Sequence, residues 1–305
     1  MPTAAPSSNG SRRRFVQFTT TAAFAAIVPS LPAAAPAPRW PIIGFSKPFQ
    51  SLGPEQTADT VAEIGWDGIE CPVRAKGQVL PERVEVDLPK FVEALRKRGK
   101  EISIITTDVK NVAQPLTAKV LRTAAKLGIK RYRLSFWKYT KDKPIPAQLD
   151  EIRAELSDLA ALNKELGLQA GFQNHSGADY VGAPVWDIWQ LVRELDPKLM
   201  GACFDIGHAT LEGGYSWPST ARLMEPHLTA VFVKDFAWKK GEKGWKAEWC
   251  PLGEGTVNKC FFAWLKKTPF NGPISQHHEY DHGEGKPMIA KMQQDLRVLR
   301  EWLAA

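Results

Sequence analysis

From residue 40 onward, short apolar runs alternate with stretches in which apolar residues recur every three or four positions. The runs read "PIIGFS" (41–46), "DGIECPV" (67–73), "EISIITTDV" (101–109) and "RYRLSFW" (131–137). Four more follow: "LQAGFQNH" (168–175), "LMGACFDIGH" (199–208), "LTAVFVKDF" (228–236) and "GPISQHHEY" (272–280). Such runs predict strands, and the stretches between them predict amphipathic helices. "DLPKFVEALRKRG" places Leu88, Phe91, Val92 and Leu95 on one face and stops at Gly99. "LTAKVLRTAAKLGI" and "LDEIRAELSDLAALNKELGL" close on Lys-Leu-Gly and Glu-Leu-Gly, and "MIAKMQQDLRVLREWL" finishes the chain.

Eight strand–helix units in one uninterrupted segment, residues 39–305, predict a single-domain α/β fold, a (β/α)8 TIM barrel, which typically takes about 250 residues. A doubly wound open sheet is the alternative, since short parallel strands look alike in both. No G-x-G-x-x-G turn follows the first run, so the dinucleotide-binding version of that sheet lacks its phosphate cradle.

Composition changes the picture only at the start of the chain. The 305 residues are 44% hydrophobic and 24% charged, an ordinary globular balance. Of the net charge of +7, three units are Arg12 to Arg14, leaving +4 (7 − 3) for the rest. Those basic residues are interleaved with acids, as in "FVEALRKRGKE", which reads as solvated helix faces and argues against a nucleic-acid partner. "SRRRFVQ" followed by "FTTTAAFAAIVPSLPAAA" has the order of an export signal of the twin-arginine type. Residues 1–38 are therefore expected to be signal and linker, and the mature protein periplasmic. No other segment approaches the ~18 uninterrupted apolar residues of a membrane span. Among four cysteines, Cys203 and Cys71 are expected as buried thiols, while Cys250 and Cys260 bracket a glycine-rich loop that a disulfide could close.

The polar residues gather where a barrel keeps its chemistry, at the C-terminal ends of the strands. Five of the six histidines fall there: His175, His208, His277, His278 and His282. Strand alternation puts His277 with Glu279, Gln173 with His175, and Phe232 with Lys234. If Asp205, His175, His277 and Glu279 line one mouth, they form a nitrogen–oxygen ligand set for a divalent ion. His175, His208, Lys234 and His277 are the catalytic candidates. Lys234 and Asp235 read either as a functional pair, the ammonium holding a substrate oxyanion, or as an ion bridge at the rim. Trp137, Trp238, Trp245 and Trp249 lie at or after the ends of the fourth and seventh runs, where rings stack on sugar faces or simply fill the core. Gln173, Trp137, Asp235 and Trp238 are the substrate-contact candidates. The long insert 237–258 is expected to be a lid or rim loop.

Taken in order, "GWDGIE" (65–70), "FQNHSG" (172–177), "FDIGHA" (204–209), "VKDF" (233–236), "PLGEGTVN" (251–258) and "HHEYDHG" (277–283) resemble the xylose isomerase-like TIM barrels. That superfamily includes sugar phosphate isomerases and epimerases, inosose dehydratases and endonuclease IV. The resemblance implies one divalent metal (Mn, Zn, Co or Mg) held by a Glu on the fifth strand, an Asp on the sixth, a His on the seventh and a Glu on the eighth. The two glutamates also serve as acid and base. Asp205 matches the sixth-strand ligand, and His208 matches a substrate-contacting histidine. Gln173, Phe232 and His277 stand where the first Glu, the His and the second Glu are expected. Gln173 takes no proton and Phe232 ligates nothing, so either the metal site is rebuilt around His175, Asp205, His277 and Glu279 or none exists. In both cases a histidine becomes the expected base.

The resulting expectation is an exported enzyme acting on a small sugar or glycoside, as monomer or homo-oligomer, by proton transfer beside a carbonyl. The alternatives are a lyase or dehydratase on oxidised (3-keto) sugars and a non-catalytic sugar-binding barrel with a decayed metal site. An endonuclease IV-like nuclease needs many more His, Asp and Glu ligands than this mouth offers.

Overall fold

Eight parallel strands close on themselves in the computed structural model, which describes residues 40–242 and 244–305. The basic-apolar leader expected over 1–38 lies outside the described residues. The barrel strands are β1 (Ile42–Phe45), β2 (Gly68–Val73), β3 (Glu101–Thr107), β4 (Arg131–Arg133), β5 (Gln169–Gln173), β6 (Met200–Asp205), β7 (Leu228–Val233) and β10 (Ile274–Gln276). Their order around the barrel is β1-β10-β7-β6-β5-β4-β3-β2, and Ile42 to Gly44 pairing with Ile274 to Gln276 closes it. An open sheet has two edge strands, whereas here every strand is paired on both sides, so the doubly wound alternative is excluded. Between β7 and β10, β8 (Asp235–Gly241) and β9 (Gly244–Cys250) form a separate antiparallel hairpin. Most of the expected lid loop is therefore regular structure.

The helices cover the outer surface of the strands with the faces their periodicity predicts. They are α1 (Pro54–Ile64), α2 (Val84–Arg96), α3 (Thr117–Lys126), α4 (Ile145–Leu166), α5 (Val185–Val192), α6 (Ile206–Gly213), α7 (Trp217–Met224), α8 (Cys260–Leu265) and α9 (Lys286–Ala304). On α2, Val84, Leu88, Phe91, Val92, Ala94 and Leu95 are buried. Helix α4 stops at Gly167, whose φ of 66° lies in the left-handed region and lets its N–H reach the Asn163 carbonyl. No described helix is long and apolar enough to cross a membrane.

Alternation along each strand sorts side chains into two cores. Outward residues pack against the helices, and a small inner plug is made by Ile43, Ile104, Cys203, Ala230 and Phe232. Immediately above this plug the inward positions turn polar. Four predicted strands end early for local reasons. β4 stops at Arg133 and β10 at Gln276, β7 releases Lys234, and β6 stops at Asp205 because that residue caps α6. The cysteines are all free thiols, with Cys250 part-buried at the end of β9 and Cys260 exposed at the start of α8, so the expected bridge does not form. Burial pushes the Cys203 thiol up to about 12.

Gly171 lies under the mouth, where a Cβ would stand 2.2 Å from Cys203 Sγ and 2.6 Å from Thr229 Oγ1. Gly171→Ala is expected to cost about 1–3 kcal/mol by overpacking. A urea titration checks this; an unchanged midpoint contradicts the packing described.

Candidate active site

The apolar strand β6 runs into Asp205-x-x-His208 because Asp205 caps the helix that follows. The Asp205 backbone ends β6, and its Oδ1 accepts the His208 N–H at 3.0 Å, the bond that starts α6. The cap holds the carboxylate at the barrel mouth and sets the imidazole one helical turn away. Asn174 clamps the same peptide from β5's end, accepting the Asp205 N–H at 2.7 Å and donating to its carbonyl at 2.9 Å. Asp205 is fully buried.

Its second oxygen, Oδ2, is the hub of the site. Gln173 Nε2 donates to it at 2.8 Å, and the Lys234 Nζ charge pairs with it at 3.2 Å. Gln173 has no freedom to turn over, because buried Arg133, which can only donate, binds the amide oxygen through Nη1. Lys234 Nζ is also 3.2 Å from Glu279 Oε1, so one buried ammonium bridges two carboxylates. Trp249, on the hairpin, lays its ring 4.6 Å from the same nitrogen and 5.1 Å, edge to face, from His208. Burial pushes the Glu279 carboxyl up, but the Lys234 charge, with His277 and Lys47 behind it, outweighs that and brings it to about 2. Glu279 is therefore a fixed anion at neutral pH.

Two histidine centres flank this bridge. On the β5–β6 side, the His175 and His208 rings lie 4.1 Å apart. The Ser176 carbonyl sits 2.9 Å from His175 Nδ1, so Nδ1 donates and the lone pair of neutral His175 is on Nε2. His208 Nδ1 meets Ser176 Oγ at 2.8 Å, while its buried Nε2 has no hydrogen-bond partner. Burial and then the Lys234 charge hold both imidazoles below the ordinary histidine range, His208 well below it. On the β2–β10 side, His277 Nε2 meets Glu70 Oε2 at 2.8 Å, with its ring between Phe45 (4.9 Å) and Phe232 (4.4 Å). Glu70 also accepts from Ser275 at 2.9 Å and from Thr106. Burial works against the Glu70 anion, yet His277, Arg133 and these bonds keep its carboxyl below the usual range.

Gln173, His175, Asp205, His208, Lys234 and Glu279 thus come together, and His277 joins them from beneath, bound to Glu70. Glu70 and Arg133 escape a search for histidines and strand-end pairs. The signal for Glu70 is a charged residue at an inward position of an otherwise apolar strand, and Arg133 shares the inward parity of its own strand. Other expectations are corrected. Lys234 and Asp235 do not pair, because successive residues face opposite ways. Asp235 points under the hairpin and accepts four backbone N–H groups, from Phe236, Gly253, Gly255 and Val257, at 2.9–3.1 Å. Trp137 is also outside the mouth, stacked on outward-facing Phe172 at 5.1 Å and bonded to Glu155 on α4. Trp238 is half exposed on the hairpin, edge-on to Phe236. His278 turns outward to Asp295 at 3.2 Å.

The ligand set His175, Asp205, His277 and Glu279 does not assemble either. Among the described residues, no three His, Cys, Asp or Glu side chains are placed to hold a metal. Three of the four are otherwise engaged, His277 by Glu70 and both carboxylates by Lys234, which leaves His175 Nε2 as a single free donor. The one Gln173 oxygen faces Arg133. These residues do not fit a divalent ion, and no chemistry is derived through one.

A family model described as xylose isomerase-like TIM barrel matches residues 58–302. The chain belongs to that family. No curated protein matches its sequence. Among solved xylose isomerase-like barrels, a Mycobacterium smegmatis protein in complex with magnesium is 16% identical, with a TM-score of 0.65 over 87% of this chain and 98% of that one. D-psicose 3-epimerase with D-tagatose from Clostridium cellulolyticum H10 is 13% identical, with a TM-score of 0.68 over 86% and 99%. A probable 3-DHS dehydratase from Bacillus anthracis is 13% identical, with a TM-score of 0.66 over 85% and 98%. At these identities the likeness is one of fold.

Asp235→Ala strands four amide donors, two of them fully buried, and is expected to cost more than about 3 kcal/mol in a urea melt. A variant as stable as the parent would place Asp235 at the mouth instead.

Proposed function

We propose that this barrel is a carbohydrate-active enzyme that moves a proton beside a sugar carbonyl, as an isomerase or epimerase does. The observation that carries the reading is the neutral His175–His208 pair next to a buried ammonium. His175 is the part-exposed member of the pair, and its Nε2 lone pair is defined by the Ser176 carbonyl. It takes the proton from the carbon next to the carbonyl. The electron pair moves to the carbonyl oxygen, where a Lys234 N–H not used by Asp205 or Glu279 stabilises the developing negative charge. If the hydroxyl proton also passes to the enolate oxygen, return of the carbon proton to the former carbonyl carbon isomerises the sugar, whereas return to the other face of the original carbon epimerises it. The Glu70–His277 pair on the opposite wall is the group available for that second face. Trp249 forms an aromatic wall suited to a sugar's apolar face. The fold relatives named as a D-psicose 3-epimerase and a probable dehydratase support this reaction class.

A second reading follows from Gln173, which takes no proton, and from Glu279, fixed as an anion. With neither side chain able to serve as an acid, one histidine base and one electrophile suffice to eliminate a β-substituent from a 3-keto sugar or glycoside, the imidazolium returning its proton to the departing oxygen. The leader's sequence adds the proposal that the substrate is met outside the cytoplasm.

A panel of ketoses and 3-keto-glycosides, followed by NMR in D2O, tests both. Solvent deuterium at the carbon beside the carbonyl, lost by at least about 100-fold in His175→Ala, is expected. Binding of sugars without exchange or turnover across the panel would make the protein a binding module. The pH dependence has a defined sign. A base whose pKa lies below the ordinary 6.5 stays active as pH falls through that value, so the acid limb of kcat/KM lies below 6.5. Lys234→Ala removes a neighbouring cation and should move that limb to higher pH.

A further inference from the structure

We infer that the Lys234 ammonium is the resident cation of this site, occupying the place between Asp205 and Glu279 that a divalent ion would need, so that the wild-type mouth excludes the metal and loss of the lysine uncovers a site for it. The inference rests on the same cluster as the proposed reaction, but its tests read metal binding and not turnover.

Three independent features support it. The first is charge. Nζ lies 3.2 Å from both Asp205 Oδ2 and Glu279 Oε1, so an ion placed between those oxygens would overlap a buried positive charge already paired with both carboxylates. Arg133 beneath adds a second buried cation. The second is the donor set. Asp205 Oδ1 is committed to the His208 N–H at 3.0 Å, and Oδ2 receives the Gln173 amide nitrogen at 2.8 Å as well as the ammonium. Gln173 therefore presents a donor, not an oxygen, to the point where a ligand would be required. The third is the space built for the lysine stem. At Gly207 a Cβ would meet Lys234 Cγ and the Lys234 carbonyl oxygen, each at 2.8 Å, so the glycine on the first turn of α6 makes room for the chain that carries the ammonium. Phe232, one inward position below, fills the floor with a ring and leaves Lys234 to supply the only charge that β7 directs at the mouth.

The experiment titrates purified, EDTA-treated protein with Mn2+, followed by electron paramagnetic resonance of free Mn2+ and by calorimetry. Wild type is expected to show no stoichiometric binding, and Lys234→Ala one Mn2+ per chain, at least 100-fold tighter than wild type. Lys234→Ala/Asp205→Asn should lose that gain, and Lys234→Arg, which keeps the charge, should not show it. A folded Lys234→Ala that binds no more Mn2+ than wild type would overturn the inference. If Lys234→Ala does not fold, the wild-type titration still decides. One Mn2+ per wild-type chain, lost in Glu279→Gln, would mean that the lysine yields to metal and would also overturn it.

Discussion

The site depends on a single buried ion bridge, in which one ammonium is shared between two carboxylates. Bringing three charges out of water costs several kcal/mol for each ion, and their mutual attraction recovers that cost only when geometry and further hydrogen bonds are good. Here both conditions are met. Asp205 is fixed by its capping bond to α6, by the Asn174 clamp and by Gln173, while Glu279 follows β10 on the adjoining wall. The bridge therefore stays aligned because the barrel positions its ends, and it sets the electrostatics of everything beside it. It holds Glu279 as an anion and helps keep His175 and His208 neutral, the state in which an imidazole can accept a proton.

Strand alternation explains how a short segment performs two unrelated tasks. In "VFVKDF", Phe232 closes the floor, Lys234 charges the mouth, and Asp235 turns outward to gather three amides of the loop after the hairpin together with that of its neighbour Phe236. That loop anchors the base of β9, and β9 delivers Trp249 onto Lys234. The outward carboxylate is structural, yet it positions the aromatic wall over the inward cation. The two halves of the sequence pair Lys-Asp are coupled through the hairpin and not through each other.

Much of this was legible in the chain. The eight apolar runs located all eight barrel strands, and the polar residues at their C-terminal ends located the mouth, whereas the capping role of Asp205 emerged only from the fold. Parity placed Gln173, Lys234 and His277 inward correctly. What failed to read through was partnership. Nothing local says that His277 bonds Glu70, 207 positions away, or that Lys234 reaches across to Glu279. Trp137 misled because aromatic residues at a strand end suit the sugar site and the strand–helix core equally, and β4 releases the chain at Arg133 before the tryptophan. Asp235 misled because adjacency in sequence resembles pairing, whereas in extended backbone it guarantees opposite faces.

The central claim concerns what stands between Asp205 and Glu279. A crystal grown with millimolar Mn2+ and measured on both sides of the manganese absorption edge answers it directly. The account predicts lysine density within hydrogen-bond reach of both carboxylates and no anomalous peak at that point. An anomalous peak there, with the Lys234 side chain swung away, would contradict it.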